Sequence, residues 1–323
     1  MEEAIETSAG EAAAAGEEVS ADRRRRDGRG GARTAPPVTP EVVPPLWARA
    51  IYAGVGHATG ALGRHRFVVS DAAAALTCRL HPDRLEACAA RHRRADPRLT
   101  AAQGRLRARA SYREYYRTVT DLFWAHTLTM DEVRRRHPID GWEHIDAAIR
   151  NHGAGLFCLA HFGNWDMAAT MAMSRGVGLS TVMREFRPAF VNQMIVWTRE
   201  RRGLEVFTPW HAARGLLQAL RRHRFPALLA DIPEGGGTVE VRFRGGPVLF
   251  STGPAALARR SGCPMLPVAC FREADRYRIV VDRPVARGSI AEMTQELADR
   301  LDALIVRAPE QWYPFNQVWT DEP

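Results

Sequence analysis

The sequence predicts an α/β fold, a mixed and largely parallel central sheet flanked by helices, with a helical region ahead of it. Three observations predict it. Between Trp142 and Ile232, short apolar runs alternate with stretches of helical period, the rhythm of strand and helix units joined by right-handed crossovers. After Gly237, segments that alternate with period two mark antiparallel hairpins and make the sheet mixed. Before Pro138 the pattern is helical and arginine-rich. With 323 residues, 46% of them hydrophobic, the chain can fill a sizeable core.

Taken in order, residues 1–45 are rich in Ala, Glu, Gly, Pro and Arg, and include "DRRRRDGRGG" and "APPVTPEVVPP". Such a composition buries too little apolar surface to offset ordering entropy, so a disordered tail and linker is expected. Residues 46–140 form the helical region and 141–323 the α/β core, with 46–323 as one structural unit. The stretch Leu46 to Leu62 is amphipathic, and Arg49, His57 and several glycines argue against a membrane span. Helix is expected over Trp142 to Arg150, closed by Gly153. Strand Leu156 to Ala160 and helix Asn164 to Ser174 follow. Next come strand "LSTVM", helix Pro188 to Arg201, strand "LEVFTP", helix Ala212 to Arg222 and strand "PALLADI". "TVEVRFRGGPVLF" reads as a hairpin turning at Gly245 and Gly246, and "MLPVACF" with "YRIVVDR" as a second. A last helix covers about Ile290 to Val306.

The formal charge of +8 suggests an anionic partner. No lysine occurs anywhere, which points first to a G+C-rich coding sequence. It also excludes a phosphate-loop lysine and a Schiff-base lysine. The five cysteines, Cys78, Cys88, Cys158, Cys263 and Cys270, make no CxxC pair and read as buried thiols in a reducing compartment. No signal peptide is recognisable at the N-terminus.

The chemistry concentrates in "LFCLAHFGNWDMAAT". Five residues of helix turn through about 500°, so His161 and Asp166 cannot share one helix face and must straddle a boundary. His161 then lies at the carboxyl end of a strand, Asn164 caps the next helix, and Asp166 sits in its first turn. Ligands bind at that edge of open α/β sheets. The same residues also read as an ordinary strand end and helix cap. A second feature, "LLADIPEGGGT", carries Glu234 past another buried strand into a glycine-rich loop, where it can partner the histidine; Glu240, on the polar face of the next strand, is the rival. Met167 to Met173, "MAATMAM", offers an apolar groove lining or plain core.

"HFGNWD", "WTRERRGLEVF", "ADIPEGGG", "GPAALARRSGCPMLPVACF" and the closing "PEQWYPFNQVW" together resemble the bacterial lipid A biosynthesis and phosphatidylinositol mannoside acyltransferase family. "IPEGGGT" is also similar to the proline-glutamate-glycine motif of the wider glycerolipid acyltransferases. The resemblance spans residues 46–319 and is firmest from 155 to 270. It implies an O-acyltransferase that moves a fatty acyl group from acyl-CoA or acyl carrier protein to a glycolipid hydroxyl, with no cofactor, no metal and no covalent acyl-enzyme. His161 would be the general base, Glu234 its carboxylate partner, and Asp166 the motif acid that orders the loop or the imidazole. Arg199, Arg184, Asn164, Gly235 and Gly236 would contact substrate. One departure from the pattern is Arg184, beside Glu185, where mannoside enzymes usually carry an acidic residue.

The resemblance also implies peripheral attachment to the cytoplasmic face of the cell membrane, without a transmembrane span. Arginines would meet an anionic lipid surface, with Trp47, Tyr52 and Trp124 at the interface, although each aromatic taken singly reads more simply as core or solvent-facing. A serine hydrolase is disfavoured because no GxSxG occurs; Ser251 reads as a cap before a helix begun by Pro254. The spacing of His152, His161, Asp166 and Asp231 matches no familiar metal set. The non-enzyme alternative is a nucleic-acid-binding protein resting on the arginine clusters at 23–26, 91–94, 134–137 and 221–224, although no reader fold accompanies them and no nucleic-acid partner is expected.

Overall fold

The structure, a computed structural model, describes residues 43–185, 187–209, 212–233, 236–274 and 276–322. The tail expected over residues 1–45 therefore falls mostly outside the described residues. Helices α1 (Leu46–Ala61), α2 (Phe67–Leu80), α3 (Pro82–Ala95), α4 (Ala101–Ala125) and α5 (Met130–Arg136) come first. Thr100 with Gln103, and Thr129 with Glu132, form reciprocal capping boxes that start α4 and α5.

The rest alternates as the apolar rhythm predicts. It runs β1 (Ile139–Asp140), α6 (Trp142–His152), β2 (Leu156–Leu159), α7 (Trp165–Met173), β3 (Leu179–Val182), α8 (Ala189–Glu200) and β4 (Glu205–Phe207). It continues with α9 (Ala212–Arg221), β5 (Phe225–Leu229), β6 (Thr238–Phe243), β7 (Gly246–Ser251) and α10 (Gly253–Ser261), then β8 (Met265–Glu273), β9 (Arg276–Val281) and α11 (Ile290–Ile305). Seven strands form one sheet in the order β1-β9-β8-β2-β5-β3-β4. Every pairing in it is parallel except β8 with β9, so the sheet is mixed and largely parallel. All four residues of β2 are buried, as a strand covered on both faces requires.

The β6–β7 hairpin stands apart as a two-stranded sheet. Its turn residues are Arg244 and Gly245, with φ of +50° and +86°, rather than the expected Gly245 and Gly246. Two left-handed residues suit the twist of a two-residue hairpin loop. Gly246 instead pairs with Phe243 inside the hairpin, where a Cβ would lie 2.3 Å from the Trp319 ring.

The alternatives left open for the aromatic and methionine residues are decided by burial. Tyr52 and Trp124 are buried and only Trp47 is exposed, because the Tyr52 hydroxyl donates to the Leu122 carbonyl and the Arg66 guanidinium lies over the Trp124 ring. Met167 and Met171 are fully buried in the core. Five cysteines are likewise buried and unbridged. Among the described residues no helix is long and apolar enough to cross a membrane.

Candidate active site

Strands β2 and β5 are parallel neighbours with Leu159 opposite Leu229. His161 follows β2 and Asp231 follows β5 by the same two-residue offset, so the register brings them side by side at the carboxyl edge of the sheet. The Asp231 carboxylate grips the histidine twice: Oδ2 accepts from the backbone N–H at 2.8 Å, and Oδ1 lies 2.9 Å from ring Nδ1. A carboxylate only accepts, so Nδ1 carries the hydrogen and Nε2 is the basic nitrogen. The Asp231 side chain is 7% exposed and that of His161 27%, which keeps the anchor dry and the ring accessible. The Trp165 ring meets the imidazole edge-on, with centroids 5.4 Å apart.

One carboxylate against His161 is thus Asp231, which the sequence reading did not select as its partner. Glu234, expected to partner the histidine, and Gly235 lie outside the described residues. Glu240 is exposed on β6 and accepts from the Thr320 hydroxyl at 3.0 Å. Asp166 faces Arg199, which donates from Nε at 2.8 Å and from a terminal nitrogen at 3.0 Å; this two-point pair fastens α7 to α8. Asn164 caps α7 as expected, its side-chain oxygen accepting from the Met167 N–H at 2.8 Å. Gly163 has φ of +60°, and a Cβ there would stand 1.9 Å from the Cys270 carbonyl oxygen. The turn carrying His161 therefore requires glycine.

A cavity of about 620 Å³ opens beside this pair, a volume typical of ligand sites. His161, Asp166, Arg184, Arg199, Arg260 and Gly236 contribute polar or backbone lining. Most of the remainder is apolar, including Phe157, Leu159, Leu216, Leu229 and Val281. From α7 the alanines Ala168, Ala169 and Ala172 reach the cavity, not the methionines between them. Ser251 also lines it, but its Oγ accepts from the Gly253 N–H at 3.2 Å, as a cap does. Burial pushes the Cys270 thiol up to about 12 and raises that of Cys158 as well, so neither is a ready nucleophile. Among the described residues no group of three His, Cys, Asp or Glu side chains could hold a metal ion.

The arginine clusters largely resolve into ion pairs. Arg91 meets Glu322 at 3.0 Å, Arg94 meets Asp321 at 2.6 Å, Arg134 meets Asp131 at 2.7 Å and Arg222 meets Glu205 at 2.6 Å. The cluster at 23–26 lies outside the described residues.

An imidazole held by a carboxylate, at the edge of a largely parallel sheet and beside a mostly apolar cavity, defines the candidate site of this α/β protein. The chain belongs to the bacterial lipid A biosynthesis acyltransferase family, whose model matches residues 97–321. A phosphatidylinositol mannoside acyltransferase of Mycobacterium tuberculosis is 30% identical to it over 218 residues, 65% of this chain and 69% of that protein. A protein of the same name from Mycolicibacterium smegmatis is 29% identical over 218 residues, 65% of this chain and 70% of that one.

Sequence reasoning passed over Asp231 as a partner. The usable signal was its offset past the strand, equal to that of His161, but which two strands are neighbours is a matter of topology.

Proposed function

We propose that the chain is an O-acyltransferase that carries a fatty acyl group from acyl-CoA or acyl carrier protein to a hydroxyl of a glycolipid, such as a phosphatidylinositol mannoside or a lipid A-like acceptor. The observation that carries this reading is His161, held by Asp231 and lining the largely apolar 620 Å³ cavity. Nε2 of His161 takes the proton of the acceptor hydroxyl as its oxygen attacks the thioester carbonyl carbon. The new C–O bond forms, the C–S bond breaks, and the imidazolium returns the proton to the departing thiolate. Asp231 stabilises the imidazolium and fixes the ring. A thioester is activated enough for direct attack, so no acyl-enzyme is needed.

Arg199 supports the site through Asp166, and Arg184 and Arg260 supply positive charge for phosphate groups of donor or acceptor. Attachment to an anionic membrane at the cytoplasmic face is part of the proposal. It is supported by apolar residues that α1 and α2 leave exposed, among them Leu46, Trp47, Ile51, Val69 and Leu80.

The test follows thiol release from palmitoyl-CoA in the presence of mannosylated phosphatidylinositol or a lipid A precursor, with product masses read by mass spectrometry. Transfer by the natural protein and its loss in folded His161→Ala are expected. Full turnover by folded His161→Ala would remove the assignment.

A further inference from the structure

Beneath the turn that bears His161 lies a buried polar cluster that the chemistry above does not use. Asp121 of α4 is fully buried and accepts from three donors: Arg66 Nε at 2.7 Å, an Arg272 terminal nitrogen at 2.5 Å, and the Tyr277 hydroxyl. Glu114 accepts from Arg272 Nε at 2.8 Å. Arg117 also donates to Glu114 at 3.0 Å and pairs with Asp71, so three guanidinium groups and three carboxylates balance in charge. Burial opposes the charge on Arg272, but the Asp121 and Glu114 carboxylates outweigh it and hold its pKa above the ordinary value. Burial raises the Tyr277 pKa well above its usual value, so its hydroxyl stays protonated and donates.

The cluster continues upward. Having donated to Asp121, the Tyr277 oxygen accepts from Asn164 Nδ2 at 3.1 Å, which fixes which way the Asn164 amide points. That orientation aims Asn164 Oδ1 at the Met167 N–H and so sets the first turn of α7. A second strut runs beside it. The Tyr313 hydroxyl lies 3.3 Å from Thr118 Oγ1 on α4 and donates to the Gly163 carbonyl at 3.2 Å. Both struts rise from α4, and both end within three residues of His161.

We infer that Asp121 and Tyr277 are positioning residues for His161, a relay through Asn164 by which the helical region holds the reactive turn in register. A well-satisfied buried network is rigid and has one arrangement, which is what a base needs to meet a hydroxyl within hydrogen-bond reach. The inference rests on the acyl-transfer reading for its kinetic consequence, but not for its structural one.

The experiment uses Tyr277→Phe, which keeps the ring and removes the relay oxygen, with Tyr313→Phe as a second variant that cuts the other strut. Two readouts are taken on the full chain. Hydrogen exchange read by mass spectrometry should show faster exchange in peptides covering 160–168 and an unchanged rate in β8. The kcat for thiol release from palmitoyl-CoA should fall roughly tenfold, with KM for the thioester unchanged, since the lost oxygen touches no substrate. Tyr313→Phe should act in the same direction. Unaltered exchange at 160–168 in Tyr277→Phe would overturn the relay, as would a natural kcat beside altered exchange. A natural protein that transfers from no thioester defeats the acyl-transfer reading instead, and leaves the exchange result to decide the relay.

Discussion

The helical region and the sheet core place their charged groups differently. Most buried side chains of the core are apolar, with Arg244, paired to Asp302, an exception, and the His161–Asp231 pair stands at the carboxyl edge of the strands. In the helical region Arg66 and the α4 residues Glu114 and Asp121 are each less than 10% exposed, while Leu46, Ile51, Val68 and Val69 are 60% exposed or more. That region keeps a small apolar core of its own, including Ala74, Leu85, Cys88 and Tyr112, and sets a buried charged cluster beside it, which must be fully paired to be tolerated. The difference places the His161–Asp231 pair and the cavity with the core, and the buried charged cluster and most exposed apolar side chains with the helical region.

The largest expected effect sharpens the core half of that comparison. Asp231→Asn keeps the shape of the anchor but removes the charge that stabilises an imidazolium. The kcat should fall on the order of a hundredfold or more, the size usual for groups in proton transfer, with little change in Tm. Asp166→Asn frees Arg199 and should act mainly on KM. If Asp166→Asn proved the more damaging to kcat, Asp231 would lose its place beside the base.

The next effect tests the charged interior of the helical half. Asp121→Ala leaves Arg66 and Arg272 facing each other across an emptied site, and removing one partner of a buried charged network destabilises by about 3–5 kcal/mol. Chemical denaturation should show this as a lower midpoint. A loss below about 1 kcal/mol, the range of exposed pairs, would mean that the cluster is effectively solvated.

Most elements were legible in the sequence because their causes are local. The run Leu156 to Leu159, the Asn164 cap and the Gly153 stop are each written in a few adjacent residues. What stayed illegible is long-range. Asp231 is adjacent to His161 only because β5 pairs with β2, and Asp121 reaches Asn164 only through Tyr277, residues separated by more than a hundred positions. The place of Tyr52 and Trp124 was undecided in the sequence for a related reason. Aromatic type suits both a lipid interface and a core, and only the packing of Tyr52 against Leu122 and of Arg66 over Trp124 shows both to be core.

A smaller effect should appear with acid. His92, buried on α3 with Nε2 2.9 Å from Ser111 Oγ, has its pKa lowered to about 3, chiefly by burial and then by Arg107 and Arg244. The unfolded chain takes up that proton near pH 6.5, so between pH 6.5 and 3 the unfolded state binds more protons and stability is lost as the pH is lowered. From pH 6.5 to 5 this single group accounts for roughly 2 kcal/mol. His92→Gln should flatten the fall in Tm over that window, and an equally steep fall would shift the cause to other groups.

The smallest effect per residue tests the outward-facing hydrocarbon. On α1 the exposed Trp47, Ile51 and Val55 recur every four residues and so form one stripe, and Val69, Leu76 and Leu80 add a second from α2. Half-burying one such side chain in a lipid surface is worth about 1 kcal/mol, roughly fivefold in partition. Ile51→Asn should therefore weaken sedimentation with vesicles containing phosphatidylglycerol by about that factor, and Trp47→Ala similarly. Ile149→Asn, an exposed position on α6, serves as the control. Equal losses from α1 and α6 would show that exposure alone, and not this face, governs binding. Loss confined to α1, together with weaker binding in high salt, would assign the apolar stripe and the arginines separate parts in one attachment, since screening weakens only the electrostatic part.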